Sequence, residues 1–333
     1  MNGAGYARVN ELSDVVYGAT VRSPLTLLLP HSGARYDDVL HHLDLDREEV
    51  RSTLMTGVDH SVPEVTKALE FEGASVFGTN LARAVLDVNR GINDVDRYSV
   101  VDGGDEPKSQ GLIWNATTTE KPEDIKEMLT HSYTRKEFEE LISVGYSPLD
   151  KAVRESMARS RDVYPTAVLF DIHSIWANET ATVQPGDSQS ERHIGAYLIG
   201  GQLDPPSLDG TPNLYLMTSN HPVTGENISC SPELKQYIMD HFKDHGLQVQ
   251  ERQVASTRYE LAHRKYADLA AGYEVFSMEI VGYHGLEKYR AQGKVLFEPE
   301  QWYLTKLQEA FNEFLAGLRE LRWRREPRFT STG

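Results

Sequence analysis

Two histidines, each followed by a serine, close apolar runs in this chain. One run is Leu25-Thr26-Leu27-Leu28-Leu29-Pro30-His31-Ser32-Gly33, the other Ala167-Val168-Leu169-Phe170-Asp171-Ile172-His173-Ser174-Ile175. Neutral imidazole is a common zinc ligand, so two such histidines brought together could hold one metal ion. A hydrolytic metal site also needs a third protein ligand, a place for water and a base to take the water's proton. Asp59, in Gly57-Val58-Asp59-His60-Ser61, is the natural third ligand, with His60 the competing donor beside it. Asp171 lies two residues before His173, on the same side of a strand, where it could orient a histidine. In Arg83-Ala84-Val85-Leu86-Asp87-Val88-Asn89-Arg90, polar residues interrupt an apolar run. Arg90 could clamp a carboxylate through its two-pronged guanidinium, and Asn89 could donate from its amide. Glu279 sits inside Val275-Phe276-Ser277-Met278-Glu279-Ile280, where an ionised carboxylate is costly without a partner or a task. In a metal site its task would be to accept a proton from water.

Each residue also has a plainer reading. A strand-end histidine is usually a hydrogen-bonded one, and Asp59 could simply cap the helix that follows. Glu279 could pair with an arginine, and Arg83 could serve in a structural ion pair. His60, His131, His193, His221, His263 and His284 read as ordinary surface or pocket residues, Asp94-Val95-Asp96-Arg97 as loop capping from which Arg97 could reach the site, and Cys230 as a packing or loop residue.

The elements that must position these groups alternate along the chain. Apolar β-like runs fall at Leu25–Leu29, Ala74–Phe77, Ala84–Val88, Ala167–Phe170, Leu214–Met217 and Glu274–Ile280. Helical patterns fall at Pro63–Phe71, Thr134–Val144, Leu149–Arg159, Pro232–His245 and Glu298–Leu321. Ser231 reads as an N-cap and Gly246 as a C-terminal stop. Strands separated by helices predict an α/β fold, a mixed but mainly parallel central sheet flanked by helices. In such sheets ligands sit at the carboxyl ends of the strands. The reading is one domain over 1–333, with long site loops at about 102–121 and 178–206 and a terminal helix at about 298–321.

Composition narrows the partners. The chain has 333 residues, 39% hydrophobic and 25% charged, with a formal net charge of −16. That charge disfavours nucleic acid, which selects a basic surface. A basic cluster, Arg322, Arg324, Arg325 and Arg328, reads as a complement to the preceding helix's dipole. No apolar stretch approaches the ~20 residues that span a bilayer. The start, Met1-Asn2-Gly3-Ala4-Gly5-Tyr6, lacks a secretory pattern and a myristoylation glycine, and Cys230 is the lone cysteine. These features predict a cytoplasmic protein acting on a small anionic molecule, without nucleic acid or membrane.

The order of the motifs resembles the N-formylglutamate amidohydrolase family, distantly related to the zinc carboxypeptidases. Pro30-His31-Ser32-Gly33 is similar to that family's Pro-His-(Ala/Ser)-Gly turn, and Asp59 falls in its acidic motif. Arg83 with Asp87-Val88-Asn89-Arg90 resembles its Arg…Asp-Leu-Asn-Arg stretch. Asp171-Ile172-His173-Ser174-Ile175 resembles Asp-Ala-His-Ser-Ile, and Ser277-Met278-Glu279-Ile280 resembles Gln-Leu-Glu-Leu. Leu208-Asp209-Gly210 and Ser229-Cys230 have counterparts too, and Arg264 and Tyr266 keep the family's Arg-x-Tyr spacing. The resemblance runs from about Leu25 to Tyr289. It implies a phosphorylase/hydrolase-like α/β sandwich and metal-dependent hydrolysis of a small N-acyl amino acid. By resemblance His31, Asp59 and His173 bind Zn2+, although Fe, Mn or Co would suit the same ligands. Glu279 is then the catalytic base, with Arg264 at the oxyanion or the substrate carboxylate. Arg83, Asn89, Arg90, Tyr266 and Ser174 contact substrate. The chain departs from the family in lacking its glycines at 250–256 and in carrying Asp150 where a histidine is expected. The alternatives are carboxypeptidase-like removal of a C-terminal residue, or an inactive relative that binds a small acid.

Overall fold

Strand β3 (Leu25–Leu29) shows how the sheet is built. All five residues are buried, so this strand is covered on both faces. Leu25, Leu27 and Leu29 pack into one apolar cluster, while Leu28 packs into the other. Two core layers therefore sandwich one sheet, as an α/β fold requires.

The structure, a computed structural model, describes residues 7–10, 13–15, 23–33, 36, 41–56, 58–59, 62–63, 65–66, 73–108, 111–117, 126–175, 214–219, 224, 226–254, 261–281 and 301–320. Strands β1 (Ala7–Asn10) and β2 (Ser13–Val15) form a separate antiparallel pair. The main sheet continues with β4 (Ser75–Gly78), β5 (Ala167–Ile175), β6 (Leu214–Ser219), β7 (Val249–Val254) and β8 (Tyr273–Val281). Its order is β4-β3-β5-β8-β6-β7. Pairing is parallel except where β6 meets β8. The mixed, mainly parallel sheet expected from the sequence is present.

Helices α1 (Glu48–Thr56), α2 (Arg135–Leu141) and α3 (Ser147–Val163) precede β5, with one π-helical turn, Ile142–Tyr146, between α2 and α3. Helix α4 (Pro232–Asp244), the short α5 (Ala262–Lys265) and α6 (Gln301–Glu320) follow. Thr134 and Glu137 form a capping box at the start of α2. Ser231 accepts from the Leu234 N–H at the start of α4, and Gly246 follows that helix at φ 78°, a conformation glycine adopts without a Cβ penalty. On one face, Phe170, Phe242, Phe276, Phe311 and Phe314 interlock, with ring centroids from 4.2 to 6.5 Å apart. Among the described residues no helix is long and apolar enough to cross a membrane.

The expected strand at Ala84–Val88 is instead a series of tight turns. Val85 and Leu86 N–H both donate to the Ala82 carbonyl, and Arg90 N–H to that of Asp87. The run is buried like a strand, and an apolar run alone does not separate a core strand from a core turn. Of the Pro63–Phe71 helix, the described positions 63 and 65–66 are helical. The loop at 178–206, Leu208–Gly210 and the arginines from 322 onward lie outside the described residues.

Candidate metal centre and active site

Strands β5 and β8 carry the centre of the site. Val168, Phe170 and Ile172 of β5, with Phe276, Met278 and Ile280 of β8, face the phenylalanine layer. Leu169 and Val275 face the opposite core. Further along that second face, alternation sets Asp171 and His173 beside their register partners Ser277 and Glu279. His31 arrives from the end of the neighbouring β3. Gly33 makes this possible, because it lies against the backbone of Thr79, Asn80 and Leu81 where no Cβ would fit. The Asp59 N–H donates to the His31 carbonyl at 2.8 Å, delivering the third residue.

His31, Asp59 and His173 are all buried, and one donor atom from each lies within 4.8 Å of the others. The two Nδ1 atoms are 2.9 Å apart. Asp59 Oδ2 lies 3.6 Å from His31 Nδ1 and 3.7 Å from His173 Nδ1. Behind this triangle each imidazole is held by a buried carboxylate. His31 Nε2 is 2.9 Å from Asp87 Oδ1, and His173 Nε2 is 2.9 Å from Asp171 Oδ2. Carboxylates only accept, so both Nε2 atoms carry protons and, in the neutral rings, both Nδ1 lone pairs face inward. Asp59 Oδ2 adds a third acceptor that is buried with no hydrogen-bond partner among the described residues, while Ser174 Oγ donates to its Oδ1 at 3.0 Å. Three converging acceptors backed by oriented imidazoles fit a bound cation.

The electrostatics agree. Burial pushes the Asp59 carboxyl up, but His173 and His31 outweigh it and hold Asp59 well below the usual carboxylate range. Burial opposes a charged His173, yet Asp171 and Asp59 hold its pKa well above the ordinary value. In both cases the pocket favours positive charge at its centre. Burial likewise raises Asp87, but Arg90, His31 and Arg83 keep it ionised. Burial raises Glu279 to about 7, near the working range of a general base.

The other expected residues separate into two groups. Asn89 stands at the centre: its Oδ1 accepts from the Ala262 N–H at 3.0 Å, and its Nδ2 lies 3.1 Å from His173 Nε2. That nitrogen cannot both donate to Asp171 and accept from Asn89; the carboxylate is the stronger partner. Arg83 and Arg90 both approach Asp87 Oδ2, at 3.4 and 3.6 Å. Arg90 is buried, whereas Arg83 is partly exposed and lies over the Trp114 ring. The Tyr266 hydroxyl donates to Asp150 at 2.9 Å, and Lys265 Nζ lies 2.9 Å from the same oxygen. Arg264, on α5, makes no hydrogen bond to the metal triangle among the described residues. His60, His193, His221 and His284 lie outside the described residues. Cys230 is buried and packs in the core, as expected.

Sequence reasoning gave Asp87 no role, although a carboxylate inside an apolar run was the available signal. It also missed the buried relay in which His263 Nδ1 meets Ser277 Oγ at 3.3 Å and Ser277 donates to Asp171 at 2.7 Å.

The fold and the converging donor set define an α/β protein with a two-histidine, one-carboxylate centre at its strand ends. A family model described as N-formylglutamate amidohydrolase matches residues 23–282, and the chain belongs to that family. An N-formylglutamate deformylase of Pseudomonas putida is 31% identical over 155 residues, 46% of this chain and 52% of that protein. Its counterpart from Pseudomonas aeruginosa is 26% identical over 154 residues, 46% of this chain and 53% of that protein. The chain thus spans about half the length of the curated relatives it matches. An N-formylglutamate amidohydrolase structure from Ralstonia eutropha JMP134 shares the fold at a TM-score of 0.63 and 18% identity, covering 91% of this chain and 97% of that one.

Proposed function

We propose that the chain is a metal-dependent amidohydrolase of a small N-acyl amino acid, in the manner named for its relatives. His31, Asp59 and His173 would hold a divalent ion, with zinc the best match to two imidazoles and a carboxylate. Such an ion supplies a Lewis acid that acidifies water and polarises an acyl carbonyl. Asp87 and Asp171 keep the histidine lone pairs aimed inward, and Ser174 fixes the Asp59 carboxylate. Glu279 takes the proton of the attacking water as its oxygen bonds to the acyl carbon. Glu279 then returns that proton to the amine nitrogen as the C–N bond breaks. Arg83, Arg90 and Arg264 supply positive charge for the substrate carboxylate and the developing oxyanion, and Asn89 lies beside them. The observation that carries this reading is the buried Asp59 Oδ2, without a hydrogen-bond partner among the described residues, converging with two oriented imidazoles.

Turnover of a panel of N-formyl, N-acetyl and dipeptide substrates, with metal analysis, tests the proposal. Release of free amine from an N-acyl amino acid, abolished by chelation and restored by zinc, is the expected result. Preference for the dipeptides would favour the carboxypeptidase-like alternative, and a metal-free, well-folded protein would overturn the metal chemistry.

A further inference from the structure

A second cluster of nitrogen and oxygen donors lies apart from the strand ends. His41 and His42 sit in a tight turn just before α1, and Glu137 sits in the first turn of α2. One donor atom from each of these three residues lies within 4.8 Å of the others. His131 stands beside the group. Its ring centroid is 4.5 Å from that of His42, and His41 lies 4.1 Å from His42 on the same measure.

Glu137 and His131 are held in forms ready to bind. Glu137 Oε2 accepts from both the Thr134 N–H and its hydroxyl, at 2.8 and 2.7 Å. Oε1 is the oxygen nearer the histidines, 3.7 Å from His42 Nε2. Thr130 Oγ1 donates to the His41 carbonyl at 3.1 Å, so toward His131 Nδ1, 2.9 Å away, it accepts. That bond places the His131 proton on Nδ1 and leaves the Nε2 lone pair available. His42 is buried and stacked on Tyr133, and its Nδ1 is a buried polar atom with no hydrogen-bond partner among the described residues. The backbone is equally committed: the Thr130 N–H donates to the His42 carbonyl, and Leu43 pairs with Leu129.

We propose that His41, His42, His131 and Glu137 form a second divalent transition-metal site, separate from the strand-end centre. Three imidazoles and one carboxylate suit zinc and its neighbours; magnesium and calcium select oxygen-only sets. The ion joins three stretches distant in sequence: the turn at 41–43, the segment at 126–133 and the first turn of α2. It would act as a structural clamp between them, with His131 the proposed fourth ligand beside the His41, His42 and Glu137 set.

The test is zinc stoichiometry on untagged, full-length protein, stripped with chelator, reloaded with zinc alone and dialysed. Wild type is expected to hold two equivalents. His41→Ala and His131→Ala should hold one each, with thermal midpoints that no longer respond to the second equivalent of zinc. The double variant His31→Ala/His173→Ala should also hold one, and adding His41→Ala to it should remove the last. His41 is exposed, so its truncation tests binding without threatening the core. A single equivalent in wild type, lost in the strand-end double variant and unaffected by His41→Ala, would overturn this site and leave the strand-end reading standing. A single equivalent lost with His41→Ala and kept by the double variant would support this site and sink the other. Two equivalents in wild type, retained in both His41→Ala and His131→Ala, would overturn the clamp, as would none at all.

Discussion

Glu279 on β8 stands directly across from His173 on β5 in the parallel pairing of the two strands. The sheet itself therefore sets the spacing between the proposed base and a proposed ligand. Replacing Glu279 with Gln keeps the shape and removes the base. Zinc content should be retained while kcat falls about 10²- to 10⁴-fold. Retained turnover would remove Glu279 from the mechanism.

The pH profile should follow the same group. Glu279 must be ionised to accept a proton, and burial raises it to about 7. A cation among His31, Asp59 and His173 lowers it from there. The acidic limb of kcat/KM is thus expected at or below pH 7, with activity rising as pH increases through it. A profile flat from pH 5 to 8 would contradict this assignment.

Asp87 is not itself a proposed ligand, yet its carboxylate accepts the proton of His31 Nε2. Asp87→Asn should weaken zinc binding about 10- to 100-fold, measured by competition with a chromophoric chelator. An unchanged affinity would mean that the His31 lone pair needs no such orientation.

Gly33 is required by close approach, not by backbone angle. Gly33→Ala drives a Cβ into the backbone of Thr79, Asn80 and Leu81, two residues after His31. Overpacking of this kind costs about 1–3 kcal/mol and should displace the histidine. Urea unfolding and zinc affinity should both suffer; an unaffected variant would mean the two segments separate freely.

His263 gives a stability signature. Burial lowers it to about 4, below its ordinary 6.5. Between those values the unfolded chain takes up a proton that the folded chain refuses. Stability is thus present above pH 6.5 and lost as pH falls toward 4, by about 3 kcal/mol. Glu279, raised by burial to about 7, gives the opposite slope over much of this range, so the effect is read as a difference: the urea midpoint of wild type relative to His263→Gln should fall as pH drops from 6.5 to 4, and a difference independent of pH would contradict it.

Much of this was legible from residues that broke an apolar pattern. His31 and His173 end buried runs, and Glu279 interrupts one; each costs too much to sit there without a partner. Strand β7 was not legible because Gln250-Glu251-Arg252-Gln253 is polar, as an edge strand can be. Helix α1 escaped notice because only Thr53, Val50 and Leu54 among its described side chains are buried. No local pattern encodes the Asp150–Lys265 pair that engages the Tyr266 hydroxyl. The His42–His131 proximity depends on a bridge between Leu43 and Leu129, which no short-range periodicity records.

The alternation of β5 and β8 makes the parity of a residue number a guide to what a lesion does. Even-numbered positions from Val168 to Ile172 and from Phe276 to Ile280 belong to the dry phenylalanine layer. Changes there are felt as folding defects, of about 3–5 kcal/mol for Phe170→Ala. The odd-numbered Asp171, His173, Ser277 and Glu279 belong to the proposed chemistry. Within two short strands, the same chain thus interleaves two layers, one that gives cohesion and one that faces the proposed site.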